Sequence, residues 1–125
     1  MIYASQQELD ADVERLKPVL GLEGWTIVAK IKRAFDMPEG TMGYHETQSS
    51  KRFAYIRLLD PADYDPAILA AQCHRRTLIH EMLHAALVGM LAMKDREDRD
   101  LLEEQFVDAV AGGIAGLMEP KSVTL

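Results

Sequence analysis

The chain has 125 residues, of which 48% are hydrophobic and 27% charged, and a formal net charge of −6. That length supplies one domain with a single core, and the acidic balance argues against DNA or RNA as a partner. The short basic pairs Lys51-Arg52 and Arg75-Arg76 read as solvated surface, and the one cysteine, Cys73, rules out an internal disulfide or a Cys-rich zinc ribbon.

The N-terminal stretch carries Glu8, Asp10, Asp12 and Glu14 where a signal peptide would be basic and then apolar. No apolar run reaches the ~18 residues of a membrane span, so a soluble, cytoplasmic protein with no membrane partner is expected. Ser5-Gln6-Gln7-Glu8 fits a capping box, and Leu9, Val13, Leu16 and Leu20 come after it at helical spacing, predicting an amphipathic helix that ends near Pro18 to Gly21. Trp25 to Ile31 is rich in β-branched residues and predicts a strand. A loop rich in Gly, Pro, Ser and Thr runs from about Asp36 to Ser50, with Gly43 to Thr47 as a short second strand inside it. In the third strand Ala54, Ile56 and Leu58 alternate with Phe53, Tyr55 and Arg57, and Leu59-Asp60-Pro61 ends it.

Asp65-Pro66 is a good helix start, with Asp as N-cap and Pro in the first turn. Sequence leaves open whether that helix continues into the next segment or restarts near Thr77. Lys94 to Asp100 reads as a solvated linker. A final helix is predicted from about Asp98 to Met118, with Leu102, Phe106, Val110, Ile114 and Leu117 as its core stripe. Gly112-Gly113 inside it cost about 1 kcal/mol each relative to Ala, which a close packing contact would explain. Helix, two or three strands and two helices make an α+β layer fold. The expected architecture is a single domain over residues 1–125, with an N-terminal helix, a small, mostly antiparallel sheet and two C-terminal helices.

The chemistry concentrates in Thr77-Leu78-Ile79-His80-Glu81-Met82-Leu83-His84, which contains HExxH within an apolar stretch. A chain of this composition matches that pattern by chance about 0.01 times. On a helix, positions four apart lie one turn apart on one face, so His80 and His84 can both place an imidazole nitrogen about 2.0–2.1 Å from one Zn²⁺. Glu81, rotated by about 100°, can reach a water at the metal without being a ligand. The flanking Leu78, Ile79, Met82, Leu83, Ala85, Ala86, Leu87, Val88, Met90 and Leu91 mark a helix buried nearly all round. Buried polar groups without partners are costly, and a metal ion supplies the missing partner.

A catalytic zinc needs three protein ligands and an open position. The metzincin pattern HExxHxxGxxH would require Gly and His where this chain has Leu87 and Met90, and there is no histidine beyond His84. Further along the chain lie Glu103-Glu104 and, four residues after Glu104, Asp108. These residues resemble the gluzincins, the thermolysin-like clan in which a glutamate on a later helix completes HExxH and an aspartate four residues on lies behind. By that resemblance Glu104 is the third zinc ligand, favoured over Glu103, and Asp108 accepts the outer N–H of His80. The small size and element order further resemble the minigluzincins and related small metallopeptidase-like proteins of phages and prokaryotes, so the domain is expected to be zincin-like.

The resemblance implies a zinc-dependent metallopeptidase acting on a peptide or protein, with Glu81 as general base. It also implies that the strand at Phe53 to Leu58 lies at the cleft rim and binds an extended peptide by β-addition. Thermolysin-like enzymes stabilise the oxyanion with Tyr and His side chains downstream of the motif, and this chain has neither after His84. Tyr44, His45, Tyr55 and Arg96 are the substitutes available, and the missing downstream donor makes a latent or highly selective peptidase the expectation. Latency would place the segment from Glu119 to Leu125 across the cleft. The alternative is a non-catalytic zinc domain that binds a protein partner, with the metal as a staple for a small core.

Overall fold

The computed structural model describes residues 1–67, 73–88 and 96–118. The C-terminal tail, Met90 and Leu91, and the side chains of Arg96, Leu102 and Phe106 lie outside that description. The elements run α1 (Gln6–Val19), β1 (Thr26–Lys32), β2 (Gly43–Gln48), β3 (Phe53–Leu59), α2 (His74–Leu87) and α3 (Arg96–Met118), an α+β arrangement. Among the described residues no helix is long and apolar enough to cross a membrane.

Helix α1 starts at the predicted box, in a modified form. Ser5 Oγ accepts the Glu8 N–H at 3.2 Å, whereas the Glu8 carboxylate reaches past the N-cap to the Ala4 N–H at 2.7 Å. Pro18 removes one donor, and the helix closes with the Leu20 N–H on the Leu16 carbonyl. Its apolar face, Leu9, Val13 and Leu16, is buried.

The sheet is mixed, with strand order β1-β3-β2. This corrects the mostly antiparallel arrangement read from sequence: β3 pairs antiparallel with β2 but parallel with β1. The cause is the long stretch between β1 and β3, which is enough for a crossover and carries β2 to the far side of β3. The predicted alternation in β3 holds, since Ala54, Ile56 and Leu58 are fully buried and face α1 and α2 together with Ala29 of β1. Full burial of side chains such as Ile56, Leu78, Ile79 and Met82 contributes about 1.5–3 kcal/mol each, which makes this layer the main stabilising element.

The Asp65-Pro66 start does not lead into the HExxH helix. Asp65 caps a turn by accepting the Ala67 N–H at 2.8 Å, and α2 begins afresh at His74, with Cys73 as its N-cap and the Cys73 sulfur accepting the Arg76 N–H. Arg75 is not the solvated residue expected: it is buried, and its guanidinium meets Asp12 of α1 at 2.8 Å. Asp12 also accepts from the Tyr3 hydroxyl and from Arg15, so one buried carboxylate ties the N-terminal segment, α1 and α2 together.

Helix α3 begins at Arg96, inside the predicted linker, and is rotated relative to the predicted stripe. Val107, Ala111 and Ala115 form its buried line, Val110, Ile114 and Met118 pack beside it, and Leu117 is exposed. Small side chains on that line let the α3 backbone approach α2 closely, a preference that an expectation built on large apolar residues overlooks. Gly112 meets the predicted close contact, with the Arg76 guanidinium lying against it, while Gly113 faces open space.

Candidate metal centre

The rotation of α3 decides which acids face α2. Glu103, Val107 and Ala111 fall on one line at i, i+4 and i+8, so Glu103 points inward with the core stripe, and Glu104 and Asp108 run along its flank. The Glu103 side chain is 13% exposed and that of Glu104 56%. Each histidine then meets two carboxylates from α3.

On the outer side, His80 Nδ1 lies 3.1 Å from Asp108 Oδ1 and His84 Nδ1 lies 2.7 Å from Glu103 Oε1. In the tautomer that carries its proton on Nδ1, each ring donates to its carboxylate and turns an Nε2 lone pair toward the other histidine. Those two atoms face one another at 3.1 Å, and Glu104 approaches them at 2.6 Å from His84 Nε2 and 3.4 Å from His80 Nε2. Two ligands about 2.05 Å from a tetrahedral ion stand about 3.3 Å apart, close to the two separations at His80 Nε2, while the 2.6 Å between His84 Nε2 and Glu104 Oε1 is that of a direct pair. Three acceptor groups brought together without a donor repel one another unless a cation or an added proton sits between them. One ligand atom from each of His80, His84 and Glu104 lies within 4.8 Å of the others, and the three could hold a metal ion.

Glu81 stands beside this group without joining it. It is 6% exposed, and its Oε2 is 4.0 Å from His80 Nε2. Burial pushes its carboxyl up to about 7, against the opposing pull of His84 and with the Glu104 charge adding to the rise. The space around it is kept by β2: a Cβ at Gly43 would stand 2.5 Å from Thr77 Cγ2 and 3.1 Å from Glu81 Oε2. No side chain fits there, so glycine is what lets the strand backbone lie against the acid.

The strand beside the site is β2, not β3. Strand β3 is paired on both sides and cannot accept an added strand, which corrects the expectation that Phe53 to Leu58 forms the rim. Leu59 N–H donates to the Met42 carbonyl at 2.9 Å, and continuing the antiparallel alternation turns the backbone groups of Gly43, His45 and Thr47 toward the edge of β2 that is unpaired among the described residues. Sequence reading located β2 but could not rank it as the edge, because strand order is set by long-range pairing.

Of the three substitute oxyanion donors whose side chains are described, Tyr44, His45 and Tyr55, His45 reaches the cluster; Arg96 lies outside the described side chains. The His45 ring stacks on His84 at 5.0 Å between centroids and 5° between planes, and its Nδ1 contacts Thr47 Oγ1 at 2.9 Å. Burial, and then the neighbouring His84, lower its pKa, which favours the neutral ring. Tyr44 and Tyr55 lie on the opposite face of the sheet, flanking Arg57 at 5.0 and 5.7 Å. Arg76 is exposed, as the sequence reading expected, and in addition lines an open cleft of about 290 Å³ with Thr41, Thr77, His80, Glu81 and Asp108. Its position one turn before His80 was the available clue.

Cys73 and His74 lie apart from the cluster. His74 is 1% exposed and fully paired, with the Tyr3 N–H donating to Nδ1 and the Leu59 carbonyl at 3.0 Å from Nε2. No family model matches this chain, and no curated protein or solved structure matches it either.

Proposed function

We propose that the chain is a zinc-dependent peptidase of gluzincin type, with a zincin-like fold in which His80, His84 and Glu104 hold the ion and Asp108 and Glu103 orient the two rings. The observation that carries the proposal is the pairing of both Nδ1 atoms with carboxylates, which leaves two Nε2 lone pairs and the Glu104 carboxylate aimed at one point. A zinc ion bound there supplies Lewis acidity toward a carbonyl and lowers the pKa of a water.

The protein's own residues account for the remaining tasks. Glu81, with its pKa raised to about 7, is matched to take a proton from water and return it to the leaving amine. The edge of β2 that no described strand pairs with presents the backbone groups of Gly43, His45 and Thr47, so an extended peptide can add to the sheet beside the buried acid. His45, neutral and packed on His84, is the side chain best situated to donate a hydrogen bond to a developing oxyanion. A zinc staple without catalysis has no use for Glu81 or for the clearance that Gly43 leaves around it.

Metal analysis combined with peptide hydrolysis tests the proposal. The wild-type protein should carry about one zinc per chain, and His84→Ala should lose it. Glu81→Gln should keep the zinc while hydrolysis falls by about 10²–10⁴-fold. Zinc retained by His84→Ala would remove this site from consideration, and full activity in Glu81→Gln would remove the mechanism.

A further inference from the structure

Resting on that reading, we infer that Arg76 is the specificity residue of the cleft and that the substrates are peptides carrying a carboxylate one or two residues from the scissile bond. Arg76 lies four positions before His80, hence one turn away on the same face of α2. Its guanidinium is laid against α3 at Gly112: a Cβ there would stand 3.4 Å from Nη2, 3.6 Å from Cζ and 3.8 Å from Nε. Three atoms of one plane at nearly equal distance mean that the plane lies flat on the helix, in the space left by the missing side chain.

The charges around it explain why this position recognises an anion. Among the described residues lining the cleft, Arg76 is the one arginine or lysine. The neighbouring acids are committed elsewhere: Asp108 to His80, Glu103 to His84, Glu104 to the gap between the rings, and Glu81 to a buried position against β2. Among the described residues no carboxylate stands at ion-pair distance from Arg76, in contrast to Arg75 with Asp12, Arg33 with Asp63 and Arg57 with Glu46. A planar guanidinium matches a carboxylate with two parallel N–H···O bonds, a geometry that a lysine ammonium does not offer. The acids of α3 repel a carboxylate from the rest of the rim, so a peptide is oriented with its anionic end toward Arg76. One helical turn separates that anion from His80, a distance spanned by one or two extended residues at about 3.3–3.6 Å each.

The carboxylate can be the peptide's own C-terminus or an acidic side chain, and three probes separate these. They are one N-acetylated, fluorescently labelled alanine peptide as the free acid, the same peptide as the C-terminal amide, and the amide with one internal glutamate. Binding is measured by fluorescence anisotropy on zinc-loaded Glu81→Gln protein, alone and combined with Arg76→Gln or Arg76→Lys; hydrolysis of the same probes is followed with Glu81 intact. Carboxylate-bearing probes should bind about tenfold to a hundredfold tighter than the plain amide, with the ratio falling to about one in Arg76→Gln and partly recovering in Arg76→Lys. A gain for the free acid alone assigns the terminal carboxylate, and a gain for the internal glutamate assigns the side chain. Equal binding of all three probes, no binding of any, or a ratio that survives Arg76→Gln overturns the inference. Hydrolysis without carboxylate preference overturns Arg76 but not the peptidase reading, whereas carboxylate-dependent binding without hydrolysis does the reverse.

Discussion

Helix α2 buries polar residues at two places, and they are treated differently. In its first turn His74 has both ring nitrogens paired and Arg75 is held by Asp12, so each polar group there ends on a partner within the protein. In the middle, His80 and His84 meet Asp108 and Glu103 on their outer nitrogens, and their inner nitrogens face one another and Glu104. Burial of a histidine therefore says little about its role. The informative quantity is the lone pair left over once the surrounding hydrogen bonds have been assigned.

Substitutions at the two places should separate structural from chemical consequences. Asp12→Ala removes the buried carboxylate that Arg75, Tyr3 and Arg15 share and is expected to lower stability by about 3–5 kcal/mol in urea unfolding while the zinc stoichiometry of the folded fraction stays the same. Loss of zinc with intact stability would break the division between the two places. Gly43→Val puts methyl groups into space held by Thr77 and Glu81 and should cost about 1–3 kcal/mol, with hydrolysis falling further than zinc affinity. Glu103→Gln and Asp108→Asn should each weaken zinc binding by about 10–100-fold in a chelator competition, with the rings no longer held in one tautomer. An unchanged affinity in both would mean that these contacts are incidental surface pairs.

The smallest expected effect belongs to His74. Burial lowers its pKa in the folded protein, so the neutral ring is the folded form. The unfolded chain takes up the proton first as pH falls below about 6.5, and stability declines from there until the folded pKa is reached. A His74→Gln variant, which retains a donor and an acceptor, should lack that part of the acid slope, a difference on the order of 1 kcal/mol between about pH 7.5 and 5.5. The two slopes coinciding would place the pH sensitivity at the middle of the helix instead.

The parts legible in the sequence are those determined by short covalent spacing. His80 and His84 share a face because they are four apart, and Glu104 and Asp108 share one for the same reason. The strand at β3 announced itself through Ala54, Ile56 and Leu58. What could not be read depends on how elements meet. The rotation of α3 turns Glu103 inward as the partner of His84, and the sign of this was present in its spacing from Val107, a residue the Leu and Phe stripe left out. The parallel pairing of β1 with β3, and with it the edge position of β2, comes from a crossover whose path local propensity does not encode. Arg75 and Arg76 are adjacent and chemically identical, yet Asp12, 63 residues from Arg75, makes one a strut and leaves the other in the cleft.

The alanines at 111 and 115 reach beyond packing. They set how close α3 comes to α2, and Glu104 rides on α3 while both histidines ride on α2. In the proposed site, the size of ion that the three residues would embrace is then a property of the hydrophobic core as much as of the ligands. A bulkier residue on that line would open the gap and shift preference from zinc toward cations with longer bonds, such as calcium at about 2.3–2.6 Å. Ion selectivity in this fold would be tuned by methyl groups that never touch the ion.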